Sequence, residues 1–179
     1  MEKEIKALIL DVDGTLTDGK IYMSSTGELM KAFNIKDGYG LVVLPQYGIT
    51  PVIITGRSSD IVKQRCSELG ITEVYQGVKN KTYQLREVCK KLDIQLTQCA
   101  YMGDDINDLP AMKLCGITAC PADGVKQVRE IVDIVTEATG GNGAVREFCD
   151  YLVDNFLPKK AKEIEDFDFT EVVYEEEQY

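Results

Sequence analysis

The sequence predicts an α/β fold in which a parallel sheet is flanked by helices. Three observations support this prediction: short apolar runs alternate with helical segments, polar residues follow the runs, and 179 residues suffice for one domain with a full core. The first run, Ala7-Leu8-Ile9-Leu10, has no polar alternation, which is typical of a strand buried on both faces. We expect the carboxyl ends of such strands to lie at one edge of the sheet, where ligands bind in this class of fold.

A β-hairpin interrupts the segment between the first strand and the first helix. Two strand-like segments, 20–23 and 29–33, flank the turn-forming residues Ser24-Ser25-Thr26-Gly27-Glu28. We expect the hairpin, at about 19–34, to project from the sheet edge beside the acids that follow the first strand. It is either a flap over a site at that edge or an ordinary surface hairpin.

The remaining elements continue the alternation along the chain. Asp37 is a candidate cap for a helix through Leu41 to Gln46, and Gly48 ends this helix. From there the sequence predicts a buried strand over 50–54, a helix over 59–69, a strand over 73–75, a helix ending near Leu92, a strand over 99–102, a helix, a strand over 117–120, a helix from Asp123, a strand over 131–135 and a final helix over 144–156.

The segment Asp11-Val12-Asp13-Gly14-Thr15 directly follows the first strand. Two carboxylates two residues apart at this edge are placed to act together, while Gly14 allows a sharp turn and Thr15 can hold it. An EF-hand calcium loop would need glycine at its sixth position and glutamate at its twelfth, but here the fourth position is Gly14 and the twelfth is Tyr22. A purely structural turn is the other alternative to a reactive pair.

Polar residues also follow three later strands. They are Thr55 after the second strand, Lys81 after the third, and Asp104, Asp105 and Asp108 after the fourth. Each of these residues, taken alone, could have an ordinary structural role. In a parallel sheet, however, we expect all of them to share one crevice with the first two acids. Converging acids would repel one another, and Mg²⁺ would relieve this repulsion because it prefers oxygen ligands. A hard cation, a lysine and a hydroxyl at one point suit phosphoryl transfer.

Composition excludes several kinds of chemistry and partner. The chain has no histidine, which excludes His-ligated zinc and Ser-His or Cys-His pairs, so a carboxylate is the available nucleophile. The net charge of −10 argues against nucleic acid and anionic membranes. We expect no signal peptide, no membrane span and a cytoplasmic protein with reduced thiols. The thiols are Cys66, Cys89, Cys99, Cys115, Cys120 and Cys149.

The order of these motifs resembles the haloacid dehalogenase (HAD) superfamily of phosphotransferases, over roughly 5–156. The matching motifs are Asp11-x-Asp13-Gly14-Thr15, the strand ending in Thr55, then Lys81, and Gly103-Asp104-Asp105-x-x-Asp108. The resemblance implies that Asp11 is the nucleophile and that Asp13 protonates the leaving oxygen and later activates water. It further implies phosphate binding by Thr55, Gly56 and Lys81, Mg²⁺ binding by Asp11, the backbone carbonyl of Asp13 and Asp104, and supporting positions behind these ligands for Asp108 and, less specifically, Asp105.

The only insertions are the hairpin and one helix, so the chain resembles the capless branch: a HAD-like, Rossmann-like parallel sheet with a hairpin flap and no cap domain. It is most similar to the 3-deoxy-D-manno-octulosonate 8-phosphate phosphatase family. This similarity rests on Asp18-Gly19-x-Ile21-Tyr22, Lys31-x-Phe33-Asn34-x-Lys36-Asp37-Gly38-Tyr39-Gly40, Thr55-Gly56-Arg57 and Gly140-Gly141-x-Gly143-Ala144-Val145-Arg146-Glu147. It implies a role in lipopolysaccharide biosynthesis and a homotetramer in which the hairpin covers a neighbour's site. The implied substrate-binding residues are Phe33, Lys36, Asp37, Arg57 and Arg65.

We therefore expect Mg²⁺-dependent hydrolysis of the eight-carbon sugar-acid phosphate through an aspartyl-phosphate. Relatives that act on nine-carbon substrates tend to carry an acid where this chain has Arg57, and a cation suits the carboxylate of the sugar acid, although Arg57 could simply begin a surface helix. The alternatives are an N-acylneuraminate or KDN 9-phosphate phosphatase, a broad sugar-phosphate phosphatase and a non-catalytic partner subunit. We expect a phosphatase domain over 1–158 and a loosely ordered acidic tail over 159–179, which carries three lysines and eight acids.

Overall fold

A parallel sheet of six strands forms the centre of the protein in the computed structural model, which describes residues 4–156. The strands of the protein are β1 (Ala7–Leu10), β2 (Tyr22–Ser24), β3 (Gly27–Met30), β4 (Thr50–Ile54), β5 (Glu73–Tyr75), β6 (Cys99–Met102), β7 (Ile117–Cys120) and β8 (Ile134–Val135). The order in the central sheet is β5-β4-β1-β6-β7-β8, and every neighbouring pair is parallel. The predicted fold class is confirmed. The predicted tail over 159–179 lies outside the described residues.

Helices cover both faces of the sheet. They are α1 (Ile35–Val43), α2 (Asp60–Glu68), α3 (Lys81–Leu92), α4 (Leu109–Met112), α5 (Lys126–Arg129) and α6 (Ala144–Phe156), with short 3₁₀ segments at Leu44–Tyr47 and Leu96–Gln98. Within residues 4–156, every helix is too short or too polar to cross a membrane. The predicted bounds of α6 are confirmed, whereas α5 is a single turn that begins three residues after the predicted start at Asp123.

Two apolar cores explain why the strand sequences lack polar alternation. Leu8 and Leu10 of β1 join the core beneath α1, α2 and α6, whereas Ala7 and Ile9 join the core beneath α3, α4 and α5. All four residues of β1 are fully buried, so both faces of the strand must be apolar. Fully burying one such aliphatic side chain contributes about 1.5–3 kcal/mol to folding. This packing holds the carboxyl ends of β1, β4 and β6 side by side.

The predicted hairpin is present as a separate antiparallel pair formed by β2 and β3. Its strands are shorter than the predicted 20–23 and 29–33, because the ladder ends at the pairing of Tyr22 with Met30. The hairpin exposes the apolar side chains of Met23 and Leu29, which are 61% and 62% accessible. It therefore buries few of its own apolar groups within one chain.

The helix expected to begin at Asp37 begins earlier, and the predicted cap is wrong. Asn34 caps α1, since its side chain accepts a hydrogen bond from the backbone N–H of Lys36 at 2.8 Å. Asp37 instead lies buried in the first turn, and its carboxylate accepts hydrogen bonds from the N–H groups of Gly143 at 3.3 Å and Arg146 at 2.8 Å. It therefore stabilises the start of α6.

Candidate active site

A tight turn after β1 directs the first two acids away from the sheet. The carbonyl oxygen of Val12 accepts hydrogen bonds from the backbone N–H groups of residues 15–17, which closes the turn directly after Asp11. Gly14 has a φ of +93°, and a Cβ at this position would collide with the carboxylate of Asp104. The turn thus requires glycine both for its backbone conformation and for the close approach of the loop that follows β6.

Three buried or half-buried acids meet at the carboxyl ends of β1 and β6. One carboxylate oxygen from each of Asp11, Asp104 and Asp108 lies within 4.8 Å of the others. This confirms that the loops after β1 and β6 converge, as the parallel sheet predicts. Asp105 does not join the cluster, because its side chain is exposed and accepts a hydrogen bond from the N–H of Ile106 at 2.7 Å.

Lys81 is the cation inside this acidic cluster. Asn80 caps α3, which places Lys81 at the start of that helix, and the Nζ atom of Lys81 lies 2.9 Å from Asp11 Oδ1 and 2.7 Å from Asp108 Oδ1. Burial by itself would lower the pKa of Lys81, but these two carboxylates raise the pKa above its ordinary value. The hydroxyl of Tyr101 donates a second hydrogen bond to Asp108 at 2.9 Å. Lys81 is therefore charged and held in place.

The acids of the cluster outnumber its lysine. Burial, followed by the charge of Asp108, raises the pKa of Asp11 against the opposing effect of Lys81. Burial and the charges of Asp11 and Asp108 raise the pKa of Asp104 to about 7, and the hydrogen bond from Thr15 offsets only part of this. The buried oxygen Asp11 Oδ1 forms an ion pair with Lys81 but accepts no hydrogen bond of good geometry from any described residue. Uncompensated carboxylates with such an oxygen fit a divalent cation that prefers oxygen ligands.

Thr55 lies beside this cluster at the end of β4. Leu10 of β1 pairs with Ile53 of β4, so Thr55 adjoins the turn that follows β1. Its backbone groups bond to Tyr75 and Val78, and its side chain is buried. Gly56 has space for a side chain, since a Cβ there would meet only Val78 O at 3.8 Å. The phosphate-binding roles of Thr55 and Gly56 remain predictions.

Asp13 belongs to a second group of charges, formed with the hairpin and the loop after β4. Lys31 donates a hydrogen bond to Asp13 Oδ1, and its Nζ atom lies 3.1 Å from Glu28 Oε1. Arg57 approaches the same two acids, at 3.6 Å from Asp13 Oδ2 and 3.6 Å from Glu28 Oε1. Sequence reasoning placed Arg57 near the site but missed Glu28, Lys31 and Tyr101. Two signals were available: the spacing of Glu28 and Lys31, three residues apart in the hairpin, and the place of Lys31 in one of the segments that resemble the family.

The other residues predicted to bind substrate do not lie in the acidic cluster. Phe33, Asp37 and Arg65 line a separate cleft between α1 and α2, where Arg65 pairs with Glu68 at 3.3 Å. Lys36 is exposed at the start of α1 and donates its backbone N–H to Asn34. Within one chain, Arg57 is thus the only one of the five that contacts a predicted catalytic residue among the described residues. The substrate roles of the other four remain predictions.

Comparisons with known proteins agree with this geometry. The family model of haloacid dehalogenase-like hydrolases matches residues 65–148. The chain is 46% identical over 151 residues to 3-deoxy-D-manno-octulosonate 8-phosphate phosphatase KdsC of Escherichia coli strain K12, covering 84% of this chain and 80% of that protein. KdsC of Yersinia pestis is 43% identical over 149 residues, with 83% and 80% covered.

Solved structures give the same result. The Moraxella catarrhalis 3-deoxy-D-manno-octulosonate 8-phosphate phosphatase, in complex with magnesium, phosphate and KDO, has a TM-score of 0.82 and 46% identity, covering 86% of this chain and 88% of that one. The cobalt-bound Haemophilus influenzae enzyme has a TM-score of 0.85 and 34% identity, covering 92% and 95%. The similarity in both sequence and fold spans nearly all of the described residues.

Proposed function

The chain belongs to the 3-deoxy-D-manno-octulosonate 8-phosphate phosphatase family of haloacid dehalogenase-like hydrolases, and we propose that it hydrolyses 3-deoxy-D-manno-octulosonate 8-phosphate to the free sugar acid and phosphate. It is a phosphoric monoester hydrolase. The observation that carries this conclusion is the meeting of Asp11, Lys81 and Asp104 at one sheet edge, in a chain 46% identical to enzymes of this activity over 84% of its length.

The cofactor is Mg²⁺, which a solved relative contains and which suits the Asp11 oxygen that lacks a hydrogen bond. The carboxylates of Asp11 and Asp104 would hold the ion together with the backbone carbonyl of Asp13. When bound, Mg²⁺ neutralises charge on the phosphoryl oxygens. We assign Asp108 a different role, because its Oδ1 already accepts hydrogen bonds from Lys81 and Tyr101. It holds Lys81 beside the nucleophile rather than serving as a ligand.

The reaction then follows from the positions of the two acids of the first motif. Asp11 attacks the phosphorus atom, and the bond from phosphorus to the C8 oxygen of the sugar breaks as Asp13 protonates that oxygen. Asp13 next takes a proton from water, which attacks the aspartyl-phosphate and releases phosphate, restoring both acids. Lys81 contributes a fixed positive charge throughout, and the Thr55 hydroxyl with the Gly56 N–H would contact the phosphoryl oxygens.

Arg57 supports the preference for a sugar acid. It lies beside Asp13, the residue proposed to protonate the leaving oxygen, and 45% of its side chain is exposed. A guanidinium at this point can bind the substrate carboxylate through two parallel hydrogen bonds. Nine-carbon keto-acid phosphates carry the same carboxylate, so the preference for the eight-carbon substrate rests on the 46% identity to KdsC, and kcat/KM measured on both substrates decides between them.

We also propose a homotetramer in which the hairpin covers a neighbour's site. The hairpin exposes Met23 and Leu29, and α1 exposes a stripe of Ile35, Tyr39 and Val42 at helical spacing. Apolar patches of this kind mark protein interfaces. Light scattering on the purified chain tests the assembly. The wild-type chain should have the molar mass of a tetramer, and Leu29→Glu should reduce this mass. The mass of a monomer for both the wild-type chain and the variant would contradict the proposal.

A cytoplasmic location is part of the same proposal. It is supported by the six cysteines, all of which are free. The sulfur atoms of Cys89 and Cys99 lie 3.5 Å apart without forming a bond, as is usual for thiols in a reducing compartment.

A panel of sugar phosphates, assayed for released phosphate with and without Mg²⁺, tests the function. We expect turnover of the eight-carbon substrate, loss of turnover in EDTA, and loss of at least about 10³-fold in the Asp11→Asn variant. Asp154→Asn, an exposed acid near the end of α6, is the matched control and should keep the full rate. A native rate in Asp11→Asn, or no release from any sugar phosphate, would refute the proposal.

A further inference from the structure

Four charged side chains form a closed ring beside the turn that follows β1. Lys31 and Arg57 each contact both Asp13 and Glu28, so that two cations alternate with two carboxylates. The side chain of Lys31 is only 1% exposed, whereas the side chain of Arg57 is 45% exposed. Lys31 is therefore the inner member of the ring, and a lysine so deeply buried requires its charge partners.

Glu28 is anchored from outside the hairpin. Its second oxygen, Oε2, accepts a hydrogen bond from the hydroxyl of Ser59, the residue that caps α2. The backbone N–H of Ser59 in turn donates to the side chain of Gln76 at 2.7 Å. Glu28 thus connects Lys31 to a rigid part of the central domain, and the position of Lys31 does not depend on the hairpin alone.

The two oxygens of Asp13 have different surroundings. Lys31 donates a hydrogen bond to Oδ1, whereas the Nε atom of Arg57 lies 3.6 Å from Oδ2, which is beyond hydrogen-bond distance. An oxygen that already accepts a strong hydrogen bond is the poorer one for proton exchange. Oδ2 is consequently the oxygen available to the leaving group and to water.

We propose that Lys31 and Glu28 are positioning residues for Asp13: Glu28 holds Lys31, and Lys31 binds Oδ1 so that Oδ2 faces the leaving oxygen. The inference rests on the proposed function, in which Asp13 exchanges protons with the leaving oxygen and with water. Neither residue needs to touch the substrate. The hairpin then contributes to the chemistry of its own chain, in addition to any cover that it provides for a neighbour.

A pair of substrates that differ in their need for a proton tests the inference. The sugar would leave as an unstable alkoxide unless its oxygen is protonated as the P–O bond breaks, whereas p-nitrophenyl phosphate releases a stable phenolate without protonation. Because kcat/KM reports the formation of the phosphoenzyme, Lys31→Met should lower it about 10–100-fold on the sugar phosphate and much less on p-nitrophenyl phosphate. Glu28→Gln should show the same pattern more weakly, and Lys31→Arg should restore part of the loss.

The second step provides an independent measurement. Asp13 must also activate water, so Lys31→Met should slow the breakdown of the phosphoenzyme and produce a burst of nitrophenolate before steady turnover. The matched controls are Lys91→Met and Glu73→Gln, which break another lysine–glutamate pair, 2.7 Å long, at the start of β5. They should leave the ratio of kcat/KM on the two substrates unchanged, even where they lower the melting temperature.

Equal losses on the two substrates, or a rise in KM alone, would show that Lys31 acts through folding or substrate binding and would overturn the inference. Lys31→Arg and Glu28→Gln decide the question if Lys31→Met does not fold. A wild-type chain that releases phosphate from the sugar phosphate, with an unchanged ratio in the variants, would refute this inference and leave the proposed function intact. A wild-type chain without sugar phosphatase activity would refute the proposed function itself.

Discussion

Substitution of Asp37 separates a role in folding from a role in substrate binding. The family resemblance implies that Asp37 lies near the sugar, but its side chain is 1% exposed and accepts hydrogen bonds from the N–H groups of Gly143 and Arg146. We expect Asp37→Ala to destabilise the protein because two backbone donors at the start of α6 lose their partner. We expect the activity of the folded variant to change little.

The magnitude follows from these two contacts. A hydrogen bond to a charged group contributes about 1.5–3 kcal/mol, and loss of a helix cap costs about 0.5–2 kcal/mol. Burial raises the pKa of Asp37 despite these donors, so desolvation offsets part of the gain. We therefore expect Asp37→Ala to lower the free energy of unfolding by about 3 kcal/mol, which corresponds to a fall of about 6–12 °C in Tm for a chain of this size. Asp37→Asn keeps one acceptor and should cost about 1 kcal/mol.

Thermal unfolding followed by circular dichroism measures the stability, and kcat/KM on the sugar phosphate, well below the melting temperature, measures the binding role. Asp150→Ala is the matched control, since Asp150 also contacts Arg146 but is exposed, and its loss should cost no more than about 0.5 kcal/mol. An unchanged Tm in Asp37→Ala, together with a fall in kcat/KM of more than about 10-fold, would refute the capping role and support substrate binding.

Three further predictions concern the acidic cluster. Gly14→Ala and Gly48→Ala both place alanine at a positive φ, so each should cost about 1 kcal/mol, but only Gly14→Ala displaces Asp104 and should lose about 100-fold in activity. Asp108→Asn weakens the hold on Lys81 and should lower Mg²⁺ affinity or kcat/KM about 10–100-fold, as measured by Mg²⁺ titration of activity. In EDTA, the raised pKa of Asp104, about 7, means that the folded state binds this proton more tightly than the unfolded chain. The free energy of unfolding should then fall as the pH rises from about 4 to about 7, with a contribution from Asp104 of at most about 1.4 kcal/mol per pH unit. Asp104→Asn should reduce this slope in urea titrations, and the raised pKa values of Asp11 and Asp37 account for what remains.

Much of the fold could be predicted because its strands are buried on both faces. The predicted bounds of β1, β4, β5, β6 and β7 are confirmed without change. For β1 and β6 this is because a short apolar run without alternation strongly favours a buried strand. The meeting of Asp11 with Asp104 and Asp108 is equally a property of topology, because parallel neighbours bring their carboxyl ends together. Neither prediction needed any knowledge of individual side-chain contacts.

The contacts that could not be predicted depend on how separate elements pack. Asn34 and Asp37 are both good caps by residue type, and only the packing of α6 against α1 assigns one to each helix. The helix expected to reach Gln46 changes to a 3₁₀ segment after Val43, since Pro45 lacks the N–H that an α-helix would use. The burial of Lys31 could not be predicted either, because it depends on contacts of the hairpin with Asp13 in the turn after β1.

Asp11 and Asp13 are only two residues apart, but they belong to two groups of charges with different net charge. In the acidic cluster, three carboxylates and one lysine leave an excess of two negative charges, which equals the charge of one Mg²⁺ ion. In the ring around Asp13, the two cations face Glu28 and the carboxyl group of Asp13, so no further ion is required. One turn of five residues therefore places Asp11, the proposed nucleophile, in the acidic cluster and Asp13, the proposed acid, beside fixed cations. A substrate with a phosphate and a carboxylate meets a neutralised cluster at one end and the exposed guanidinium of Arg57 at the other.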